Sequence, residues 1–410
     1  MSMRIGIVGA GPAGMTAALH AARRGCDVHL IDSNPAVGRK LLVTGAGRCN
    51  LSNRGASPAN AARYACPDPA FVQVVLSRFG RADLLAFLRD LGVLTFDTDD
   101  GWTYPVSESA AAVTAIFAAA LREAGVTLHL NTLVAGVERR KTGFRLAAGS
   151  LPAPLEVEAL IVASGGKAYP ALGSTGSLYP HLERLGQPIV PLYPALAPVL
   201  ADVRRLHRLQ GVRLDAGVSL FSHSKLIAQT TGNLIFTQWG LNGPAVMDLS
   251  HHLNSLPAGS TRLDLDLNPF HRDELLHLVR SKRKSSYPVS TLLGAVLPPK
   301  VPPVLLALAG LRGDPPLAQL SASEVDAVLH LLSHLPIAVS GVKGFDACQV
   351  SAGGVDVGAV DAATLQSRRI PGLYFCGEVL DVTGPCGGYN LQFAFSSGAV
   401  AGISAGEMDR

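Results

Sequence analysis

Arg4-Ile-Gly-Ile-Val8-Gly9-Ala10-Gly11-Pro12-Ala13-Gly14 decides the fold of this chain. An apolar strand runs into a turn with the spacing G-x-G-x-x-G, and a helix from Met15 to Arg24 leaves it carrying the small residues Ala17, Ala18 and Ala21. A second strand follows from Cys26 to Ile31, and the acidic Asp32 stands at its tip. Strand, glycine turn, helix, strand and carboxylate together make a dinucleotide-binding βαβ unit. Gly9 permits the tight turn, Gly11 lets a pyrophosphate approach the backbone, and Gly14 lets helix and strand pack closely. The helix start at Pro12 and Ala13 offers unpaired N–H groups and the positive end of a dipole to phosphate. Asp32 is placed to accept from both ribose hydroxyls and repels a 2′-phosphate.

The bulk composition agrees with a buried globular enzyme. The chain has 410 residues, 48% of them hydrophobic and only 16% charged, which predicts two or three domains. A net charge of +4 is too small to indicate nucleic-acid binding. Six cysteines are scattered with no C-x-x-C pair, which excludes a zinc ribbon or redox dithiol pattern and fits reduced thiols in a cytoplasmic protein. No metal site is expected. The most apolar run, Ala110–Leu121, has about a dozen residues and is too short to span a membrane.

Further along, residues 33–70 form a long Gly-, Asn- and Ser-rich connection of the kind that carries function. Helical periodicity predicts one helix over Phe71–Leu91, and a second capped by Ser107 and running to Glu123. The wholly apolar Ala159-Leu-Ile-Val-Ala163 suits a central parallel strand covered on both faces. Pro191, Pro194 and Pro198 read as a linker. Strands are then expected at Ala216–Phe221, Lys225–Gln229, Asn233–Gln238 and Thr261–Leu267, followed by helices over 270–335. The expected domains are a discontinuous nucleotide-binding domain (1–190 and 341–410), an inserted antiparallel β-barrel (191–269 and about 336–340) and a small helical domain (270–335).

A second motif lies at the other end of the chain. Gly372-Leu-Tyr-Phe-Cys376-Gly377-Glu378-Val-Leu-Asp381 is a strand ending in a carboxylate that can reach a ribityl-like hydroxyl chain. Gly387 and Gly388 then let the backbone approach a flat ring. The helix beginning near Asn390 and Leu391 aims its N-terminal dipole at that ring, an arrangement that favours the negative charge of a reduced flavin. The two ends read together specify non-covalently bound FAD rather than NAD.

Gly38-Arg39-Lys40, Thr44-Gly-Ala-Gly47-Arg48-Cys49-Asn50 and Gly165-Gly166-Lys-Ala-Tyr169 resemble the signature of the YhiN/BaiN-type bacterial flavoproteins. So do Gly173-Ser-Thr-Gly176, Ile235-Phe-Thr237 with Gly240-Leu-x-Gly243-Pro244, and Gln349-Val-x-x-Gly353-Gly354. The resemblance covers essentially the whole chain. It implies an α/β architecture: a glutathione-reductase-like Rossmann FAD domain with the inserted barrel and helical modules. Aminoacetone oxidases and a bile-acid-pathway reductase are among the relatives it implies.

The candidate cofactor-binding set is Gly9, Gly11, Pro12, Ala13, Gly14, Asp32, Arg39, Lys40, Gly47, Arg48, Asn50, Val134, Ser164, Gly165, Gly377, Glu378, Asp381, Gly388, Asn390 and Leu391. Within it, Arg39 and Lys40 are read as cations beside adenosine and pyrophosphate, and Val134 as a backbone clamp on adenine. His251 and His252, beside Asp248, are read as surface or capping residues, and Cys49 as a packing residue. The expected activity is hydride exchange between flavin N5 and a small organic substrate bound between the flavin and the barrel. NAD(P)H is a candidate transient co-substrate, because no second G-x-G-x-x-G occurs between 150 and 345, and O₂ is the alternative acceptor. No catalytic acid or base is nominated, and neither the substrate nor an oligomeric state is legible. Two other classes stay open: an RNA-binding flavoprotein of tRNA modification, suggested by the basic runs Arg204–Arg208 and Arg280–Lys284, and a flavin-binding protein without turnover.

Overall fold

The computed structural model describes residues 2–257 and 259–408. The chain divides into two compact units, Met1–Tyr193 with Gln349–Arg410, and Pro194–Cys348.

The first unit is built on a five-stranded sheet in the order Leu373–Phe375, Ala159–Val162, Arg4–Val8, Asp27–Ile31, Thr127–His129. Every neighbouring pair is parallel. Ala159–Val162 is buried at every position, as a strand with neighbours on both sides and covered faces requires. The helix after the glycine turn spans Pro12–Ala22. Two small antiparallel sheets flank this core: Val134–Arg139 with Phe144–Ala148 and Leu155–Val157, and Trp102–Pro105 between Ser52–Asn53 and Thr95–Asp97.

Several expectations are corrected. The helical stretch 71–91 is two helices, Pro69–Arg78 and Arg81–Asp90. Gly80 interrupts it, and Asp83 accepts the Gly80 N–H (2.8 Å) to begin the second helix. Ser109, rather than Ser107, caps the Ala110–Glu123 helix by accepting from Ala112 N–H (3.2 Å). The proline-marked linker contains a strand, Ile189–Ala195, which pairs with Val350–Val355. Proline is tolerated there because a two-stranded ribbon consists only of edge strands.

The second unit holds a closed six-stranded barrel, ordered Val199–Ala201, Gly240–Asn242, Lys225–Phe236, Arg213–Ser222, Thr261–Asp266, Leu335–Val342. Lys225–Phe236 is one unbroken strand where two, Lys225–Gln229 and Asn233–Gln238, were expected. Alternation places Leu214, Ala216, Val218 and Leu220 inside. Leu335–Val342 closes the barrel by pairing antiparallel with both Thr261–Asp266 and Val199–Ala201. Helices Arg272–Ser281, Val289–Leu293, Val301–Leu308 and Ala322–Ser333 bury their apolar faces in the same core as the barrel strands.

One buried histidine makes the first unit acid-sensitive. His20 packs against Phe79 and Phe87 (centroids 5.5 and 4.9 Å away) with its Nε2 buried and without a partner among the described residues. Burial, aided by Arg23 and Arg24, lowers its pKa to about 4. The unfolded chain binds this proton near pH 6.5 and the folded chain does not, so the stability it contributes is full above pH 6.5 and is lost as pH falls towards 4. The loss amounts to about 3 kcal/mol. His20→Leu should therefore flatten the decline in melting temperature between pH 6.5 and 4.5. An unchanged slope would remove His20 as its source.

Candidate functional site

The candidate residues gather at the C-terminal ends of neighbouring parallel strands, where ligands bind in open α/β sheets. Gly9 follows Arg4–Val8, Asp32 follows Asp27–Ile31, Ser164 and Gly165 follow Ala159–Val162, and Gly377 and Glu378 follow Leu373–Phe375.

The three fingerprint glycines have different surroundings. Gly9 has φ +109°, and a Cβ there would overlap the Ala163 carbonyl. A Cβ on Gly14 would overlap the Gly9 carbonyl, whereas one on Gly11 would meet no atom within 4 Å. The Pro12–Ala22 helix has no side-chain cap on its first turn. Its free N–H groups therefore face the one fingerprint position left open, which is the geometry that fits a pyrophosphate. Asp32 already accepts three hydrogen bonds: from Ala10 N–H (2.6 Å), Asn34 N–H (2.8 Å) and Asn34 Nδ2 (2.9 Å). A carboxylate has about four acceptor directions, so one remains for a ribose hydroxyl, where the sequence suggested two.

Lys40 has a carboxylate partner: its Nζ donates to Glu378 Oε2 (2.6 Å), joining residues 338 positions apart, and leaves Arg39 as the half-buried cation of the Gly38-Arg39-Lys40 motif without a partner among the described residues. Glu378 Oε1 accepts from Ser351 N–H (3.0 Å), and Ser351 Oγ accepts from Lys167 N–H (2.7 Å). A Cβ on Gly166 would lie 2.8 Å from Glu378 Oε1 and 2.7 Å from Ser351 Oγ, so the segment after Ala163 closes over this cluster.

The loop 384–390 is held from two sides. Asn390 Oδ1 accepts from Gly384 N–H and its Nδ2 donates to the Gly384 carbonyl (both 2.8 Å), so this side chain braces the loop. Asn53 Nδ2 donates to the Gly387 carbonyl (2.8 Å). With its amide oriented so that both atoms are satisfied, buried Asn50 donates to Ser52 O (2.9 Å) and accepts from Gly388 N–H (3.2 Å). Ser52 Oγ donates to Gln392 Oε1 (2.5 Å), and Leu391 is half-buried in the first helical turn. Gly377 N–H donates to Ser397 Oγ (2.9 Å), tying the Gly-Glu turn to the same terminal helix.

The remaining candidates are placed as follows. Arg48 lies exposed, with its guanidinium 4.6 Å from the Tyr104 ring centre, in a loop where Gly45, Ala46, Gly47 and Cys49 all have positive φ. Val134 is buried beside a bulge in its strand. Asp381 is buried and accepts from Gly353 N–H (2.9 Å); burial raises its pKa. Burial also pushes the Cys49 thiol up to about 12, which makes it an inert packing group. The His251 and His252 rings lie tilted with centroids 4.0 Å apart in the second unit, and burial lowers His251 to about 4. Within the basic run Arg280–Lys284, Arg283 donates to the Leu317 carbonyl (2.6 Å) and the Leu320 carbonyl. Among the described residues, no group of three or more His, Cys, Asp or Glu is placed to hold a metal ion, and no helix is long and apolar enough to cross a membrane.

Sequence reasoning passed over Asn34, Ser351, Ser397 and Gln392, which fix the candidate residues without belonging to a ligand-binding pattern. Ser351 falls on an unread position of Gln349-Val-x-x-Gly353-Gly354, and Gln392 and Ser397 lie in the helical run that follows Asn390.

A Rossmann sheet with a glycine turn open at one position, completed by a C-terminal Gly-Glu turn and helix, defines an FAD-dependent oxidoreductase. The chain belongs to the HI0933-like family: the model described as "HI0933-like protein Rossmann domain" matches residues 3–404. It is 34% identical to a 3-dehydro-bile acid delta(4,6)-reductase of Clostridium scindens, over 98% of this chain and 99% of that one. It is 31% identical to a ribosomal RNA dihydrouridine synthase of Escherichia coli, over 95% of each. The fold is similar to a 3-ketosteroid-delta4-(5alpha)-dehydrogenase from Rhodococcus jostii RHA1 (TM-score 0.53, 14% identity, covering 99% of this chain and 97% of that one).

Proposed function

We propose that this chain is a flavin-dependent reductase of carbon–carbon double bonds conjugated to a carbonyl. One observation carries the reading: two relatives named for unlike substrates share this chemistry. A delta(4,6)-reductase of a 3-dehydro-bile acid and a dihydrouridine synthase both saturate an alkene polarised by a neighbouring carbonyl.

FAD, when bound, supplies the hydride carrier. The residues of this chain bind and orient. The first-turn amides of the Pro12–Ala22 helix and Arg39 hold the pyrophosphate, and Asp32 accepts one adenosine-ribose hydroxyl. Glu378 would accept from the ribityl chain. The loop 384–388, braced by Asn390, Asn53 and Asn50, would form the surface for the flat ring. Buried Asp381, its carboxyl pKa raised by burial, braces Gly353. The preferred substrate is a small enone, with NADH or NADPH as transient co-substrate in a cytoplasmic setting.

A second reading, uridine in RNA, draws on the dihydrouridine synthase relatives and on Arg204, Arg205 and Arg208. These arginines are exposed on a 3₁₀ segment whose Val203, Leu206 and Leu209 are buried. Anaerobic stopped-flow tests the proposal. NADH or NADPH should bleach the flavin, and a steroid-like enone or a uridine-containing RNA should restore its colour faster than buffer alone. Bleaching only by an amine, with peroxide released on admitting air, would make the protein an oxidase. A salt-sensitive RNA gel shift, together with reoxidation by RNA and not by enone, would select the second reading.

A further inference from the structure

We infer that Lys40 is a positioning residue of the flavin half of the cofactor site, acting through Glu378, and not a phosphate-binding cation. The inference rests on the flavin reading above.

Lys40 follows Gly38-Arg39 in a motif whose charge suggests pyrophosphate recognition, yet its ammonium is committed to Glu378 Oε2 at 2.6 Å. The two side chains are only 21% and 18% exposed, so water screens the pair far less than a surface ion pair. Glu378 has few other ways to sit. Ser351 N–H holds Oε1, and the Gly166 backbone leaves no space for the carboxylate to swing towards it. A carboxylate with one oxygen on a backbone amide and the other on an ammonium is fixed in position. Its remaining lone pairs point in set directions, as a group that must accept from a polyol chain requires. Removing Lys40 frees one oxygen to rotate and leaves a poorly solvated anion facing the ligand. Arg39 supplies a separate cation from the same motif, which frees Lys40 from any duty at the phosphates.

The two roles separate with two ligands. ADP occupies only the adenosine and pyrophosphate half of the site, whereas FAD occupies both halves. Lys40→Met, Lys40→Arg and Glu378→Gln apo-proteins would be titrated with ADP and with FAD, with circular dichroism confirming the fold. Lys40→Met and Glu378→Gln should each weaken FAD by about tenfold and leave ADP binding as in the wild type, while Lys40→Arg should restore most of the FAD affinity. Equal losses for ADP and FAD in Lys40→Met would overturn the inference and return Lys40 to the phosphates. Unchanged FAD affinity in both Lys40→Met and Glu378→Gln would show the pair to be idle. Should Lys40→Met fail to fold, Glu378→Gln and Lys40→Arg decide between the same outcomes. A wild-type protein that binds no FAD would remove the flavin reading itself, which is a different result from a Lys40 variant that binds FAD normally.

Discussion

Gly11→Val and Gly14→Val should fail in opposite ways, although they stand three residues apart in one motif. A Cβ at Gly14 would overlap the Gly9 carbonyl oxygen and come within 3.2 Å of Ala163 Cβ. No rotamer relieves a clash made by Cβ itself, so the Pro12–Ala22 helix has to move off the sheet. The expected cost is about 3 kcal/mol or more, seen as a large fall in melting temperature or as insoluble protein. Gly11 is extended at φ −77°, ψ −176°, a conformation any residue adopts, and its Cβ would meet nothing within 4 Å. Valine there costs only the loss of a favourable N-cap residue, about 1 kcal/mol, and the apo-protein should fold. Its isopropyl group then fills the space in front of the uncapped amides, and FAD affinity should fall by about a hundredfold, because hydrogen bonds to charged phosphate are lost. Thermal melts of apo-protein and FAD titration of both variants check this. A Gly11→Val protein that purifies with stoichiometric flavin would sink the assignment of the glycine turn.

The difference between these two glycines shows what was readable in the chain. The G-x-G-x-x-G spacing, the flanking strands and the Gly-Glu turn are local patterns, and local patterns are written in sequence order. The alternation that builds the barrel is local too, which is why its strands were legible at Ala216–Phe221 and Thr261–Leu267. Leu335–Val342 was legible only as a short return to the barrel at about 336–340, because its Leu335-Pro-Ile-Ala-Val339 run follows directly on a helix ending at Ser333. Hydrogen-bond partners were not readable at all. Lys40 looks equally suited to a phosphate or a carboxylate until the fold brings Glu378 to it. Asn390 looked like a ligand residue, and the structure engages it with its own loop at Gly384. Asp32 was recognised by position, but the three donors that occupy it come from Ala10 and Asn34. Sequence distance hides such pairings, and backbone donors leave no mark in composition.

The seam that joins the two ends of the chain gives the second large effect. In the terminal helix Tyr389–Gly406, glycines recur every fourth residue at 398, 402 and 406. A Cβ on Gly398 would overlap the Ala13 carbonyl, and one on Gly402 the Ala17 carbonyl, so at these points the two helix backbones touch. Glycine inside a helix costs up to about 1 kcal/mol against alanine, and here that cost secures a contact no side chain permits. The same seam sets the cofactor site, because a Cβ on Gly377 would lie 2.8 Å from Ala13 Cβ, and Gly377 N–H is bonded to Ser397 Oγ in the terminal helix. Gly402→Leu should force the helices apart, destabilise the first unit by about 3 kcal/mol or more, and strip the protein of flavin by displacing the Gly377–Glu378 turn from the N-terminal glycine turn. Gly406→Ala is the contrast. Its Cβ would lie nearest to Arg24 side-chain atoms, 2.8 Å from Cδ and 3.2 Å from Cβ; the far end of that chain can swing aside, and the Cβ contact needs a shift of a few tenths of an ångström rather than a backbone separation. It should be neutral or raise stability by up to about 1 kcal/mol through helix propensity. Flavin content and melting temperature of the two variants, measured side by side, distinguish backbone contact from helix propensity. A tolerated Gly402→Leu would show that the two ends of the chain are held together by something other than this seam.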